Sequence, residues 1–226
     1  MMKQPRPKAL VFDVNETLLD LSHVQQEFQQ IFGEKYAFKY WFSLLLQYSL
    51  VDTVTGQYHD FKEIGQAVLK MTEEFFGQSL TSSQKEAIQQ QLAQLPSHPE
   101  VEAGLSRLKE AGFRLYALTN SAKVTLDNHM KRTGLGTYFE ETWTVDELQL
   151  YKPHPRTYGM VLSRLGLSPE ETMMIAAHGW DLAGATQVGM QTAFISRKGQ
   201  SLYPLAGAPT LVSKDIVELA GQLVAL

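Results

Sequence analysis

Ala9-Leu10-Val11-Phe12-Asp13-Val14-Asn15-Glu16-Thr17-Leu18-Leu19-Asp20 is the stretch whose reading decides the fold of this 226-residue chain. It opens on an apolar run and turns polar at Asp13. A short run of this kind reads as a strand buried on both faces, as in the middle of a parallel sheet. In open α/β sheets, ligands bind just beyond the carboxyl ends of such strands, which puts Asp13 at the mouth of a site. A carboxylate is costly to bury there without a partner, which points to chemistry. Read alone, the stretch also allows Asp13 simply to cap the next element.

Outward from this strand, the totals bound the function. The hydrophobic fraction of 44% and charged fraction of 19% are those of a globular protein with one good core or a core plus a modest insert. A formal net charge of -4 without a long basic run argues against nucleic acid as a partner. With no cysteine, disulfides and thiolate chemistry are excluded. No apolar stretch approaches the roughly 20 residues of a membrane span. The basic segment Met1 to Lys8 leads straight into the first strand, too short for a signal-peptide core, so a cytoplasmic protein is expected.

From Leu18 to about Leu95 the pattern is helical. Val24 to Phe32, Tyr40 to Val51, Phe61 to Phe76 and Ser83 to Leu95 carry helical spacings, with Thr81 as a helix-start residue and Thr53-Val54-Thr55-Gly56-Gln57 read as a turn-rich connector. From Pro96 helix and strand alternate. Strands are expected at Arg114–Leu118, within Phe139–Val145, at Thr172–Ala177 and at Gln191–Ile195; helices end at Gly112, Gly134, Gly166 and Gly189. This alternation predicts an α/β fold with a doubly wound parallel sheet, a Rossmann-like core of residues 1–18 and 96–226, and a helical cap of residues 19–95 inserted after the first strand.

Polar residues recur at the strand ends: Asp13 with Thr17, Thr119-Asn120-Ser121, and His178 with Asp181. Tyr151-Lys152-Pro153-His154-Pro155 falls in a loop between them. Each group has an ordinary explanation alone, as a cap, a surface lysine or a core histidine. Their joint recurrence on one sheet edge weighs against that. Asp13 is then the candidate nucleophile, Thr17 and turn amides hold its oxygens, and Lys152 keeps it ionised. Thr119 and Asn120 offer hydrogen bonds to a substrate, and Asp181 can pair with Lys152 or orient a water.

On these residues the chain resembles the haloacid dehalogenase superfamily over essentially its whole length. Asp13…Thr17, Thr119-Asn120, Lys152-Pro153 and a final acidic loop stand in that family's order. The family's phosphatases carry a second aspartate two residues after the nucleophile and an acidic set in the last loop; here those places hold Asn15 and Ala176-Ala177-His178-Gly179-Trp180-Asp181. Magnesium wants several hard oxygen ligands, so the departures disfavour a phosphatase.

They are similar instead to the L-2-haloacid dehalogenase branch, which needs no metal or other cofactor and carries a Trp-Asp pair in its last loop, here Trp180-Asp181, with Tyr158 following the Lys-Pro. The resemblance implies a small halogenated carboxylate as substrate, displacement of halide by Asp13, and hydrolysis of the resulting ester. It implies catalytic roles for Asp13, Thr17, Lys152 and Asp181. Substrate contacts are implied for Val14, Asn15, Trp41, Phe42, Thr119, Asn120, Tyr158, His178 and Trp180. The branch places an arginine directly after a cap tryptophan, where this chain has Phe42 after Trp41, and it has serine and asparagine at Ala176 and His178. Phe42 removes a bidentate carboxylate partner. Two other readings therefore stand beside the first: a magnesium-dependent phosphatase, and a catalytically altered relative that binds a ligand or partner through its cap. The branch commonly dimerises, which makes a homodimer an expectation.

Overall fold

The computed structural model describes residues 5–226, so Met1 to Gln4 of the basic N-terminal segment lie outside the described residues. Six parallel strands form one sheet in the order β3-β2-β1-β4-β5-β6. They are β1 (Ala9–Phe12), β2 (Arg114–Thr119), β3 (Glu141–Thr144), β4 (Thr172–Ala176), β5 (Gln191–Ile195) and β6 (Leu211–Ser213). The helices are α1 (Ser22–Phe32), α2 (Ala37–Thr55), α3 (Phe61–Phe76), α4 (Ser82–Ala93), α5 (Val101–Glu110), α6 (Lys123–Thr133), α7 (Pro155–Leu165), α8 (Gly179–Gln187) and α9 (Ile216–Val224). β6 and α9 follow the last strand that the sequence pattern marks.

The central strands are apolar throughout because both faces are covered. Successive side chains point to opposite faces. Leu10, Phe12, Leu115, Ala117, Met173 and Ile175 join one buried cluster, and Ala9, Val11, Tyr116, Leu118, Met174 and Ala176 join the other. The first cluster continues into α5 and α9 and into the helices α1–α4, and the second takes in Tyr158 and Val161 of α7 and Leu182 and Ala185 of α8. Gly104 on α5 makes the α5–α9 contact possible, since a Cβ there would lie 2.6 Å from Ile216 Cγ2.

Local chemistry sets the helix ends. Asp60 starts α3 with a capping box closed by Glu63, and Thr81 starts α4 with one closed by Gln84. Helix α2 runs on through the expected connector to Thr55. The Thr53 and Thr55 hydroxyls donate back to the carbonyls of Ser49 (3.0 Å) and Val51 (2.8 Å), and the helix stops only at Gly56, whose φ is 71°. The turn residues are thus absorbed by the helix they were expected to end.

The strand order reverses between β1 and β4. Phe12 is level with Ile175, and the Asp13 amide donates to the Ile175 carbonyl at 2.9 Å. Asp13 and the segment after β4 therefore meet at the switch point, where open sheets leave a crevice.

Candidate active site

The segment after β1 is folded back on itself. The Leu18 and Leu19 amides both donate to the Val14 carbonyl, at 2.9 and 3.0 Å, with Glu16 at φ 59° in the turn. This turn brings the Thr17 hydroxyl to Asp13 Oδ2, to which it donates at 2.7 Å, while Thr17 Oγ1 accepts from the Ala177 amide at 2.9 Å. One hydroxyl therefore ties the end of β1 to the end of β4.

Lys152 arrives from the loop after β3, at a cis Lys152–Pro153 peptide bond. Asn120 Oδ1 accepts from the Lys152 amide at 2.9 Å, which fixes the loop against the end of β2. The ammonium is fully buried and spends its three donors on Asp13 Oδ1 (2.9 Å), the Leu118 carbonyl (3.0 Å) and Asp181 Oδ2 (2.6 Å). Asp181, from the first turn of α8, accepts on its other oxygen from the Tyr158 hydroxyl at 2.6 Å. Gly184 lets α8 come this close, since a Cβ there would sit 2.6 Å from both Pro153 Cβ and Tyr158 Cε2.

His178 is buried between two carboxylates. Its Nδ1 lies 3.2 Å from Asp13 Oδ2 and its Nε2 lies 2.8 Å from Glu16 Oε2, an oxygen that also accepts from Gln200 Nε2 at 2.9 Å. Both ring nitrogens can donate only in the imidazolium. The ring is stacked between Phe42 (centroids 6.0 Å apart) and Trp180 (5.2 Å).

The electrostatics follow from these contacts. Burial works to raise the Asp13 carboxyl, but the Lys152 ammonium and His178 outweigh it and hold Asp13 well below the usual carboxylate range. For His178, burial works downward, yet its hydrogen bonds to Asp13 and Glu16 push it up to about 9. Burial also opposes the charge on Lys152, and the Asp13 and Asp181 carboxylates reverse that and raise it. Asp181 is raised, by burial first and by the Asp13 charge, against the pull of Lys152. At neutral pH the nucleophile candidate is thus ionised and flanked by two cations.

A divalent cation fits this donor set poorly. The Lys152 ammonium already occupies the bridging position between Asp13 and Asp181, and the neutral Asn15 amide, donating to Ser121 Oγ at 3.1 Å, adds no negative charge beside them. Among the described residues, no group of three or more His, Asp or Glu is arranged to hold a metal.

The family description haloacid dehalogenase-like hydrolase matches residues 7–189. The chain belongs to this family. Among curated members, the (S)-2-haloacid dehalogenase of Xanthobacter autotrophicus is 30% identical over 94% of this chain and 82% of its own length. The (S)-2-haloacid dehalogenase 4A of Burkholderia cepacia is 29% identical over 85% of this chain and 84% of its own. The solved structure of the L-2-haloacid dehalogenase RSc1362 superposes with a TM-score of 0.92 at 26% identity, covering 98% of this chain and 100% of that one.

Against this family background, the expected residues sort by position. Asp13, Thr17, Lys152, Asp181, Tyr158 and His178 form one hydrogen-bonded network. Asn15, Phe42, Thr119, Asn120 and Trp180 line the small pocket at Asp13. Two of the residues expected to contact substrate are set back from this small pocket. Val14 is buried and absent from its wall, and Trp41, with its indole N–H on the Gly65 carbonyl at 2.9 Å, lines the larger cleft beside it. Tyr158 is fully buried and reaches the site through Asp181, and the Asn120 side chain is occupied by the Lys152 backbone. Two further residues at the site, Glu16 and Gln200, carry no marked signal in the motifs above. Glu16 was readable as a second carboxylate in the first turn, but Gln200 sits in a loop whose approach is set by Gly179, where a Cβ would lie 2.6 Å from the Ser201 carbonyl oxygen. No sequence signal marks that contact. Among the described residues, no helix is long and apolar enough to cross a membrane.

Proposed function

We propose that this chain hydrolyses the carbon–halogen bond of a 2-haloacid through an ester at Asp13. The observation that carries the proposal is a buried carboxylate kept ionised by Lys152 on one oxygen and by His178 and Thr17 on the other, at the mouth of a pocket. The names of the relatives support the substrate. A carboxylate nucleophile repels an anionic acid, and two buried cations offset that repulsion.

In the first step an Asp13 oxygen forms a bond to the carbon bearing halogen, and the halide leaves with the bonding pair. Water then attacks the Asp13 carboxyl carbon. The oxyanion that develops falls where Lys152 and Thr17 already donate. Alkylation removes one of the two carboxylate charges that hold His178 protonated, so its pKa falls, the imidazolium releases one proton to solvent, and the neutral ring then takes the proton of the attacking water. The products are a 2-hydroxyacid, a halide and a proton, with inversion at carbon from the single displacement.

The test is halide release from chloro- and bromo-carboxylates in EDTA, beside Asp13→Asn. A single turnover in oxygen-18 water should label the Asp13 carboxylate and leave the product hydroxyl unlabelled. Label appearing directly in the product would sink the ester. The Lys152 position and the Asn15 amide weigh against the phosphatase reading, and magnesium-dependent phosphate release would restore it. A cytoplasmic setting and a homodimer belong to the same reading; the exposed Leu50, Val51 and Val54 of α2 support the second, which sedimentation reads.

A further inference from the structure

The space beside Asp13 is very small. The pocket formed by Asp13, Phe42, Thr119, Lys152, His178 and Trp180 measures about 10 Å³, room for about one water-sized group. Beside it lies a cleft of about 610 Å³ between α3 and α4 on one side and α6 on the other. Asn15, Phe42 and Phe61 line both spaces, so the two lie side by side and share these three residues as a common wall. The cleft floor is apolar: Leu21, Trp41, Leu45, Leu69, Ile88 and Leu95. Charges there belong to Lys62 and Glu86, which are exposed. Phe42, at the position where the resemblance expects an arginine, carries the apolar wall right up to the nucleophile.

We propose that the cleft holds the alkyl chain of the substrate, so that the enzyme acts on 2-haloalkanoic acids of medium chain length in preference to two- or three-carbon acids. The inference rests on the hydrolytic reading above. The leaving halogen, about the size of one water, takes the small pocket, and the reacting carbon sits at its mouth with the chain running past Phe42 and Phe61 into the cleft. At roughly 30 Å³ per heavy atom the cleft takes an octyl chain with room to spare. Each methylene moved from water to an apolar wall is worth roughly threefold to fourfold. The exposed rim halves that, so kcat/KM should rise at least about tenfold from the propanoate to the octanoate.

The experiment is bromide release across the 2-bromoalkanoates from propanoate to decanoate, with Thr125→Phe as the variant that fills the cleft from α6. A rise in kcat/KM with chain length, and an octanoate-to-propanoate ratio that collapses toward one in Thr125→Phe, supports the inference. A flat or falling series with normal turnover of bromopropanoate overturns it and leaves the hydrolytic reading intact. If no acid is turned over, the hydrolytic reading fails, and octanoate binding by calorimetry then decides the cleft by itself. Binding that is tighter than for acetate and lost in Thr125→Phe supports the chain site, and equal or absent binding overturns it.

Discussion

Glu16→Gln isolates the charge that holds His178 protonated. Glu16 is buried, sits in the left-handed region at φ 59°, and receives His178 Nε2 at 2.8 Å. A non-glycine residue in that region costs about 1–2 kcal/mol, which the surrounding contacts must outweigh. Glutamine keeps the shape and an acceptor oxygen but removes the negative charge. A hydrogen bond to a charged partner is worth about 1.5–3 kcal/mol against about 0.5–1.5 for a neutral one, so roughly 1–1.5 kcal/mol of preference for the imidazolium is lost. At 1.36 kcal/mol per pKa unit, His178 should move from about 9 to roughly 8.

The assay is kcat/KM for a bromoalkanoate across about pH 6–10, which reports the free enzyme. The alkaline limb should lie near 9 in the parent and about one unit lower in the variant. Stability follows the same group. Its folded pKa is raised above the ordinary 6.5, so its contribution is complete below about 6.5 and lost as pH rises to about 9. Full loss is worth roughly 3 kcal/mol in the parent and about 2 in the variant. A parent profile flat through pH 9, or a variant limb that does not move, would refute the reasoning.

Lys152→Met leaves Asp13 and Asp181 buried without their shared cation. It should cost about 3–5 kcal/mol in urea unfolding and abolish halide release, because one carboxyl takes up a proton. Gly184→Ala drives a methyl into Pro153 and Tyr158, so we expect a loss of about 1–3 kcal/mol and slower turnover as the Lys152 loop shifts; an unchanged melting temperature would contradict the packing argument. Phe42→Arg sets a guanidinium against the His178 imidazolium, ring centroids now 6.0 Å apart, and the alkaline limb of kcat/KM should move toward lower pH.

The sheet and its site edge were legible because the period of the pattern matched the burial. Ala9–Phe12, Thr172–Ala176 and Gln191–Ile195 are buried at every position, and each is followed by a polar break or a loop. The pairing of Lys152 with Asp181 was one of two options the sequence left open, and the ammonium chose it because three acceptors converge there. At position 41 the indole packs on Phe28 and Phe38 and lines the large cleft, while its neighbour Phe42 reaches the small pocket at Asp13, a division between adjacent helix residues that the sequence does not show. The end of α2 misled because the connector's threonines satisfy helix carbonyls as readily as turns. The His178–Glu16–Gln200 chain spans the distance from the first loop to the one after β5, and such a three-body contact leaves no periodic trace.

Phe42 and His178 are best read as one exchange. An arginine at position 42 would place the cation that faces the substrate on α2, within the helical layer, while the chemistry sits on the sheet. Here the second cation belongs to the segment after β4 and is locked by Glu16 from the segment after β1, so both of its anchors lie on the sheet edge that carries Asp13. The charge that neutralises the nucleophile no longer depends on how the helical layer sits. That leaves α2 free to present an aromatic wall, with Phe42 stacked on the imidazolium ring and lining the cleft beyond it. The electrostatic function and the apolar function are carried by different layers, so substitutions along the cleft should change which acids are accepted before they change how Asp13 reacts.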